Sequence, residues 1–245
     1  MTEQYVCGLH AVSALLNNRH RKTQKIYINE SSNNPRLQDL EQLAATRGIA
    51  VDKTSIQKMN QQFSQYTHQG VVAIAETLRE HNERDLVNLL QGMEKNAAIL
   101  ILDGLTDPHN LGACLRTADA VAVDFVIIPK DNSASITPAV TKTASGAAET
   151  IPLVRVSNLA RAMDIIKAEG IWVYGAAGEA KSSLYQMDLT SPVALAFGAE
   201  GKGLRRLTRD YCDSLFSLPM LGAVESLNVS VAAGVAMYEM LRQRL

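Results

Sequence analysis

Residues 99–120 read ILILDGLTDPHNLGACLRTADA. The run ILIL has the composition of a strand that is buried on both faces, and polar residues follow it directly before a helical stretch at 111–121. In α/β sheets, ligands bind where the chain leaves the carboxyl end of a parallel strand. The stretch therefore predicts an α/β fold and a functional segment that begins near Asp107.

The chain on either side of this stretch repeats the pattern of apolar runs separated by helical segments. Continuous apolar strands between helices imply a parallel sheet that is covered on both faces. We expect strands at 98–102, 125–129, 151–156, 171–176, 193–197 and 215–218, and helices at 111–121, 137–145, 158–169, 204–211 and 226–242.

The first 75 residues alternate shorter elements, which predicts a small separate α/β domain. We expect helices at 8–17 and 36–47 and strands at 25–29 and 70–75. Residues 76–96 are strongly polar apart from one amphipathic turn of leucines, so we expect a partly helical linker there. The predicted division is 1–75, a linker at 76–96, and a second domain at 97–245.

Composition excludes several classes of protein. The chain has 245 residues, 47% of them hydrophobic, and three cysteines without a C-x-x-C pair or metal-ligand spacing to histidine. No apolar stretch approaches the roughly 18 residues that a membrane span needs, and the first ten residues do not resemble a signal peptide. We therefore expect a cytoplasmic protein with no membrane segment and no metal.

Charge is balanced, with 24 Lys and Arg against 25 Asp and Glu. Such a chain is not expected to coat nucleic acid indiscriminately, because that binding rests on many contacts to phosphates. The densest basic cluster comprises Arg19, Arg21, Lys22 and Lys25. It is either a solvated loop or a local phosphate contact.

Three segments contain more polar residues or glycines than packing requires, and the first is 107–119. Asp107 has the sequence context of a helix cap. Asn110 and Arg116 are candidates for ligand contact, and the alternative is a second cap and a surface ion pair.

The second segment is FGAEGKGL, residues 197–204. Glycines let backbone amides approach a ligand, and Glu200 in their midst is awkward for phosphate binding. The order Gly198, Gly201, Gly203 comes late in the domain and does not match a dinucleotide fingerprint. Taken alone, this segment fits a tight turn as well as it fits a cofactor loop.

The third segment, residues 218–239, runs from a strand end through a glycine loop into an alanine-rich helix. Ser226 could be the helix N-cap. Asn228 is less easily explained inside the start of a helix, because asparagine prefers caps and turns.

In order and spacing, the three segments together resemble the motifs of the SpoU (TrmH) branch of the SPOUT RNA ribose methyltransferases. The resemblance covers the chain: 97–245 is similar to the catalytic domain, and 1–75 to the small L30e-like RNA-binding domain that often precedes it. The stretches 8–12 (GLHAV) and 68–70 (HQG) add to the second likeness. The resemblance implies a parallel-sheet SPOUT domain with a deep trefoil knot, an exception to the rule that chains do not thread loops.

The resemblance also implies a cofactor, a partner and roles for particular residues. The cofactor is S-adenosyl-L-methionine, held largely through main-chain groups, and the enzyme is a homodimer in which each site is completed by the partner chain. The implied cofactor contacts are Gly198, Gly201, Leu218, Met220 and Leu227. The implied catalytic set is Arg116, Asn110, Glu200, Ser226 and Asn228.

Within this reading Arg116 activates the ribose 2′-hydroxyl, although a guanidinium keeps its proton in proteins. It would therefore act either as an unusual base or electrostatically, by gripping the phosphate beside the target ribose. Glu200 is the alternative base. No divalent ion is required, because the methyl donor is already activated as a sulfonium.

The substrate that the resemblance implies is a guanosine of bacterial 23S (large-subunit) rRNA, in the peptidyl-transferase loop. The alternatives are a tRNA or another rRNA ribose, and a non-catalytic RNA-binding factor of ribosome assembly; a nucleotide-dependent oxidoreductase fits the glycine order poorly. We expect RNA recognition by shape and phosphate contacts rather than by base stacking, because residues 1–75 contain few aromatics. These are Tyr5, Tyr27, Phe63 and Tyr66.

Overall fold

The computed structural model describes residues 3–93 and 96–245. It divides into two compact units, and the division differs from the one expected. The first unit contains the residues through Arg79 together with Ile136–Thr150, and the second contains Glu80–Ser135 and Ile151–Leu245. The chain therefore passes between the units three times, where the sequence suggested a single linker.

The first unit is built on a four-stranded mixed sheet. Its strands lie in the order β1-β4-β2-β3, where β2 and β3 are parallel and the other pairs are antiparallel. Its elements are β1 (Glu3–Cys7), α1 (Leu9–Asn17), β2 (Thr23–Asn29), α2 (Pro35–Thr46), β3 (Ala50–Thr54), α3 (Ile56–Gln62) and β4 (Val71–Glu76), followed later in the chain by α6 (Pro138–Thr143) and a 3-10 turn (Ala147–Glu149).

The two faces of this sheet are covered unequally. Helices α1 and α2 bury one face in a large apolar cluster that includes Val12, Leu16, Ile26 and Val71. The other face is covered by the short helix α3 through a smaller cluster of Cys7, Met59, Phe63 and Val72. The elements β1, β3 and α3 were not predicted from the sequence, because each is short and partly exposed.

The stretches 8–12 and 68–70 lie next to each other. The Gly8 amide donates to the Val71 carbonyl at 3.3 Å, and the Gln69 side chain accepts from the Leu9 amide at 3.4 Å. Buried His68 accepts from the Gly70 amide at 3.1 Å through Nδ1, and its Nε2 lies 3.0 Å from Asn60 Oδ1. These contacts fix the turn that leads into β4.

A buried ion pair joins the separate pieces of the first unit. The Arg21 guanidinium contacts the Glu149 carboxylate, and the two side chains are only 4% and 2% exposed. Arg21 also donates to the Glu76 carbonyl at 2.7 Å and to Gln4 Oε1 at 2.9 Å. Arg21 is thus unavailable for a phosphate contact. Of the basic cluster predicted from the sequence, only Arg19, Lys22 and the half-exposed Lys25 reach the surface.

The second unit contains an eight-stranded sheet in which all neighbouring strands are parallel, as the sequence predicts. The order is β10-β12-β9-β11-β6-β7-β8-β5. Its elements are β5 (His81–Asn82), α4 (Glu83–Gln91), β6 (Ala98–Asp103), α5 (Pro108–Ala120), β7 (Phe125–Pro129), β8 (Leu153–Val156), α7 (Leu159–Ala168), β9 (Trp172–Ala176), β10 (Ser182–Ser183), a 3-10 turn (Leu184–Gln186), β11 (Val193–Gly198), α8 (Arg206–Tyr211), β12 (Ser214–Ser217) and α9 (Val229–Arg244).

The strand order reverses at β6. The chain lays β7 and β8 on one side of β6, then crosses over so that β11 pairs with the other side of β6 and β9 lies beyond it. Because the strands are parallel, the segments after β6, β9, β11 and β12 all emerge at the same edge of the sheet. A reversal of this kind is where ligands bind in open α/β sheets.

Two expectations about individual elements need correction. The final helix begins at Val229 rather than at Ser226, so residues 226–228 belong to the loop before it and its cap. Residues 83–91 form α4, in agreement with the helix expected there, but they are not a linker, because Leu86 and Leu90 pack into the core of the second unit. The expected linker residues 94 and 95 lie outside the described part of the chain. Among the described residues, none of the helices combines the length and the hydropathy that a membrane span requires.

Candidate active site

A cavity of about 820 Å³ lies at the carboxyl edge of the second unit's sheet. The segments that follow β9, β11 and β12 form its walls, together with the first turns of α9. It contains all five of the expected cofactor contacts, Gly198, Gly201, Leu218, Met220 and Leu227, and three of the expected catalytic residues, Glu200, Ser226 and Asn228.

Three motif residues that are far apart in the chain meet at this cavity. Asn228 Nδ2 donates to Asn110 Oδ1 at 2.9 Å and also to Glu200 Oε1, and Asn110 Nδ2 donates to the same Glu200 oxygen at 3.2 Å. One oxygen of Glu200 thus accepts from two amides, whereas its other oxygen has no hydrogen-bond partner among residues 3–93 and 96–245. The arrangement holds the carboxylate in place with one oxygen available.

Asn228 is also the N-cap of α9. Its side-chain oxygen accepts from the Ser230 amide at 2.9 Å and from the Val231 amide at 3.4 Å. The N-cap predicted at Ser226 is therefore wrong by two residues, and the preference of asparagine for caps explains why Asn228 stands there. Ser226 is exposed and lines the cavity.

Asn110 and Asp107 have different roles in α5. Asp107 Oδ1 accepts from the His109 amide at 2.9 Å, so the predicted cap is confirmed. Asn110 lies in the first turn and is only 7% exposed, which rules out the alternative that it is a cap. A buried amide needs hydrogen-bond partners, and Asn110 finds them in Glu200 and Asn228.

The glycine segment forms a tight turn, one of the two readings left open by the sequence, and this turn lines the cavity. The Gly203 amide donates to the Ala199 carbonyl at 2.8 Å, and Gly201 and Gly203 have φ of 73° and 65°. A Cβ on Gly198 would lie 1.9 Å from the backbone of Gly203. Glycine at 198 is therefore a steric requirement of the turn that positions Glu200.

A buried aspartate that the sequence analysis missed ties this turn to β6. Asp103, 1% exposed, ends β6 and stands opposite Gly198 in the sheet register. It accepts from Arg205 Nε and from Thr208 Oγ1, both at 2.6 Å, and from the Arg205 amide at 3.2 Å. Asp103 lies on the segment that leads to Asn110, and Arg205 lies on the segment that follows the glycine turn. The contacts between Asp103 and Arg205 therefore join the segment that carries Asn110 to the turn that carries Glu200. Its signal in the sequence is a carboxylate directly after an apolar strand.

Arg116 stands apart from this group. It lies on the exposed side of α5, forms no hydrogen bond or ion pair within the described residues and does not line the cavity. The surface ion pair offered as its alternative role is likewise not formed within those residues. The structure thus brings together Asn110, Glu200 and Asn228, but not Arg116.

The cavity includes two further acidic residues that the motifs did not indicate. Glu179, in the segment after β9, pairs with Arg209 of α8, and Glu225 lies in the loop before α9. A hydrogen bond from its own backbone and the Arg209 guanidinium lower the pKa of Glu179. Their position after strands at the carboxyl edge of the sheet is the feature that could have identified them.

Comparisons with known proteins agree with this geometry. Residues 97–238 match the family model of the SpoU rRNA methylases, and residues 5–81 match that of RNA 2′-O ribose methyltransferase substrate binding. The chain therefore belongs to the SpoU rRNA methylase family.

Relatives extend the match over the full length of the chain. It is 51% identical over 239 residues to the 23S rRNA (guanosine-2′-O-)-methyltransferase RlmB of Pseudomonas syringae, covering 98% of this chain and 95% of that one. The protein of the same name from Escherichia coli is 45% identical over 241 residues, covering 98% and 99%. In fold, the SpoU methyltransferase AviRb of Streptomyces viridochromogenes superposes with a TM-score of 0.82 at 23% identity, over 99% of this chain and 90% of that one.

Proposed function

We propose that this protein transfers a methyl group from S-adenosyl-L-methionine to the ribose 2′-hydroxyl of a guanosine in 23S rRNA. The observation that carries the proposal is the identity of about half of all residues, along the entire chain, with relatives named as 23S rRNA (guanosine-2′-O-)-methyltransferases. The meeting of Asn110, Glu200 and Asn228 at the cavity supports it.

The cavity suits the cofactor in size and chemistry. Its volume of about 820 Å³ falls in the usual range for small-molecule sites, and the AviRb structure is of a complex with AdoMet. Glu200 and Glu225, which form no ion pair within the described residues, offer negative charge to a molecule with a sulfonium and an ammonium group. Main-chain groups at Gly198, Gly201, Leu218, Met220 and Leu227 would hold it. When bound, the cofactor supplies an electrophilic methyl group on positively charged sulfur.

The protein must then orient the ribose and assist loss of its 2′-hydroxyl proton. Glu200 is held by Asn110 and Asn228, and its free oxygen can accept a hydrogen bond from that hydroxyl. Arg116 contributes a positive charge that grips the neighbouring phosphate and favours the developing oxyanion. Ser226, on the cavity wall, contributes a hydroxyl that can bind the ribose or phosphate.

A homodimer belongs to the same proposal and explains the position of Arg116. The final helix leaves Val231 and Tyr238, seven residues apart, 50% and 53% exposed on the same side. If α9 packs across a two-fold axis, an exposed Arg116 can serve the cavity of the partner chain. The double variant Val231→Glu, Tyr238→Glu should sediment as a monomer in analytical ultracentrifugation. The control Leu207→Glu, at an exposed position in α8, should sediment as the wild type does. A wild-type protein that sediments as a monomer would contradict the proposal.

The deep trefoil knot near the C-terminus is the remaining fold proposal. It is supported by the loops after β11 and β12, which form the cavity walls expected of knotted turns. When the unfolded chain is stretched mechanically from both ends, a tightened knot should hold back some residues. The contour length should then be shorter than that of an unknotted chain, which extends by roughly 3.3–3.6 Å per residue. A full-length contour would refute the knot.

The first unit, for which an L30e-like fold is expected, is assigned to RNA binding. The proposed target is the peptidyl-transferase loop, and the proposed location of the protein is the cytoplasm. The test is methylation of unmodified 23S rRNA, small-subunit rRNA and bulk tRNA with labelled cofactor, followed by mapping of the modified ribose. Transfer to one guanosine of 23S rRNA is expected. Activity should survive a chelator under conditions in which the RNA stays folded, because methyl transfer from a sulfonium needs no divalent ion.

Two variants test the role of Arg116 in the same assay. Arg116→Ala should lower the rate by about 100-fold or more, the usual worth of one catalytic group. Arg206→Ala, at an arginine that is 97% exposed in α8, is the matched control and should stay near wild type. Transfer to tRNA would keep the chemistry and overturn the target. Cofactor binding without transfer to any RNA, including ribosomal precursor particles, would favour a non-catalytic assembly factor.

A further inference from the structure

One face of the first unit's sheet is only half covered. In the register of the strands, Tyr5 and Cys7 of β1, Ile74 and Val72 of β4, and Lys25 and Tyr27 of β2 share this face. The seven-residue helix α3 packs on its Cys7–Val72 half. On the other half, Ile74 is partly exposed and Tyr5 is 38% exposed.

The four aromatic residues of this unit, which are scattered in the sequence, gather at the boundary between the two halves. The Tyr5 ring lies 5.6 Å from that of Phe63 and 5.8 Å from that of Tyr66, and the Tyr27 ring lies 5.1 Å from that of Phe63. Phe63 is buried, so it anchors the partly exposed rings of Tyr5, Tyr27 and Tyr66. Rings braced in this way lose little freedom when a ligand stacks on them.

A cation stands beside these rings. Lys25 Nζ lies 4.8 Å from the centre of the Tyr27 ring, and its ion pair with Asp52 is exposed and therefore weak. The stretches 4–29 and 53–75 contain no Asp or Glu, and 55–70 is rich in glutamine. Three carboxylates share this face, Asp52 opposite Tyr27 and the pair of Glu3 and Glu76 at the outer ends of β1 and β4, which limits the phosphate contact to Lys25.

We propose that Tyr5, Tyr27, Tyr66 and Lys25 form a tyrosine patch that stacks an unpaired base of the substrate RNA, with Lys25 contacting its phosphate. The combination of aromatic rings and a cation on an open sheet face is how proteins hold single-stranded RNA. The patch reverses the expectation, drawn from the low number of aromatics, that stacking contributes little. The identity of its ligand rests on the proposed function, whereas its position rests on the geometry of this unit.

The first experiment measures methyl transfer against the concentration of an unmodified 23S rRNA transcript. Tyr5→Leu should raise KM for RNA about tenfold, within the range that loss of one base–aromatic stack produces, and change kcat less than twofold. Tyr5→Phe keeps the ring and should restore the wild-type KM. Tyr185→Leu, which removes a 58% exposed tyrosine of the second unit, is the matched control.

A second variant makes the test independent of any loss of stability in Tyr5→Leu. The chain has a single tryptophan, Trp172, so the double variant Tyr5→Trp with Trp172→Phe carries its only indole in the patch. Saturating transcript should quench its fluorescence and protect it from acrylamide. Replacing Lys25 with Gln should reduce the salt dependence of RNA binding by about one phosphate contact.

The outcomes separate the patch from the proposed function. A wild-type protein that does not methylate 23S rRNA would overturn the function. An active wild type, combined with a Tyr5→Leu variant whose KM for RNA is unchanged, would overturn the patch. An indole that stays fully accessible to acrylamide while the transcript is bound would also overturn it.

Discussion

Arg21→Met should destabilise the first unit more than any surface substitution in it. The Arg21 and Glu149 side chains are almost fully buried, and removing the guanidinium leaves the carboxylate with only the Asn18 amide as a side-chain donor. Breaking a buried pair by removing one partner costs about 3–5 kcal/mol. Gln4 Oε1 and the Glu76 carbonyl also lose a donor, so we expect a value in the upper half of that range.

The penalty should depend on pH in a defined direction. Burial raises the pKa of Glu149, and the charge of Arg21 opposes that rise. Without Arg21 the folded-state pKa rises further above its unfolded value of about 4.3. A buried carboxyl without a partner is best tolerated when protonated. The loss in free energy of unfolding is therefore greatest at pH values above the folded-state pKa, and it diminishes by about 1.4 kcal/mol per pH unit as the pH falls from that pKa toward 4.3.

Hydrogen exchange of the β2 and β4 amides measures this effect in the first unit alone. Arg21→Met combined with Glu149→Leu should recover most of the loss, because buried ion pairs can be replaced by apolar residues at little cost. Lys53→Met, which breaks the exposed pair with Glu41, should cost less than about 1 kcal/mol. A loss below 1 kcal/mol for Arg21→Met, or one that is unchanged between pH 7 and pH 5, would refute the reasoning.

Three further predictions concern single residues. Asp103→Asn should lower thermal stability and reduce kcat more than cofactor affinity, because the turn that carries Glu200 loses its charged anchor; equal kinetics at full occupancy would contradict a positioning role. Asn228→Ala removes the N-cap of α9, so it should lower the free energy of unfolding by about 1 kcal/mol in chemical denaturation and also reduce activity. Asn228→Ser retains a capping side chain and should recover stability but not activity. Full recovery of activity in Asn228→Ser would exclude a role for the amide. Burial lowers the pKa of His68, so the free energy of unfolding should decrease as the pH drops below 6.5, where the unfolded state takes up a proton before the folded state does. His68→Gln should weaken the dependence of the urea midpoint on pH between pH 7 and pH 5. An unchanged dependence would exclude this histidine as the cause.

The sequence predicted the second unit far better than the first. Strands such as β6 and β7 are continuous apolar runs buried on both faces, which leaves little ambiguity. In contrast, β3 reads AVDKT with no buried residue, and its place is decided by pairing with β2. Propensity carries little information about a strand whose stability comes from its neighbour.

The site was predictable where residue type implies chemistry and not where long-range packing decides. Asn110, Glu200 and Asn228 stood out by residue type, the family resemblance assigned them to one site, and they meet in the structure. The contacts of Asp103 with Arg205 and Thr208 join residues about one hundred positions apart, which no local pattern encodes. The start of α9 was misplaced because Ser226 and Asn228 are both good caps, and only the backbone geometry selects between them.

The threefold passage of the chain between its units bears on how such proteins can be recombined. An exchange of the residues through Arg79 alone would import Arg21 without the Glu149 against which it is buried. The first unit thus consists of two pieces that must match, although they are separated by more than fifty residues of the other unit. Chimeras that exchange only the residues through Arg79 should be destabilised at this arginine, and chimeras that also exchange Ile136–Thr150 should fold, so the first unit can be moved between homologues only as both pieces together.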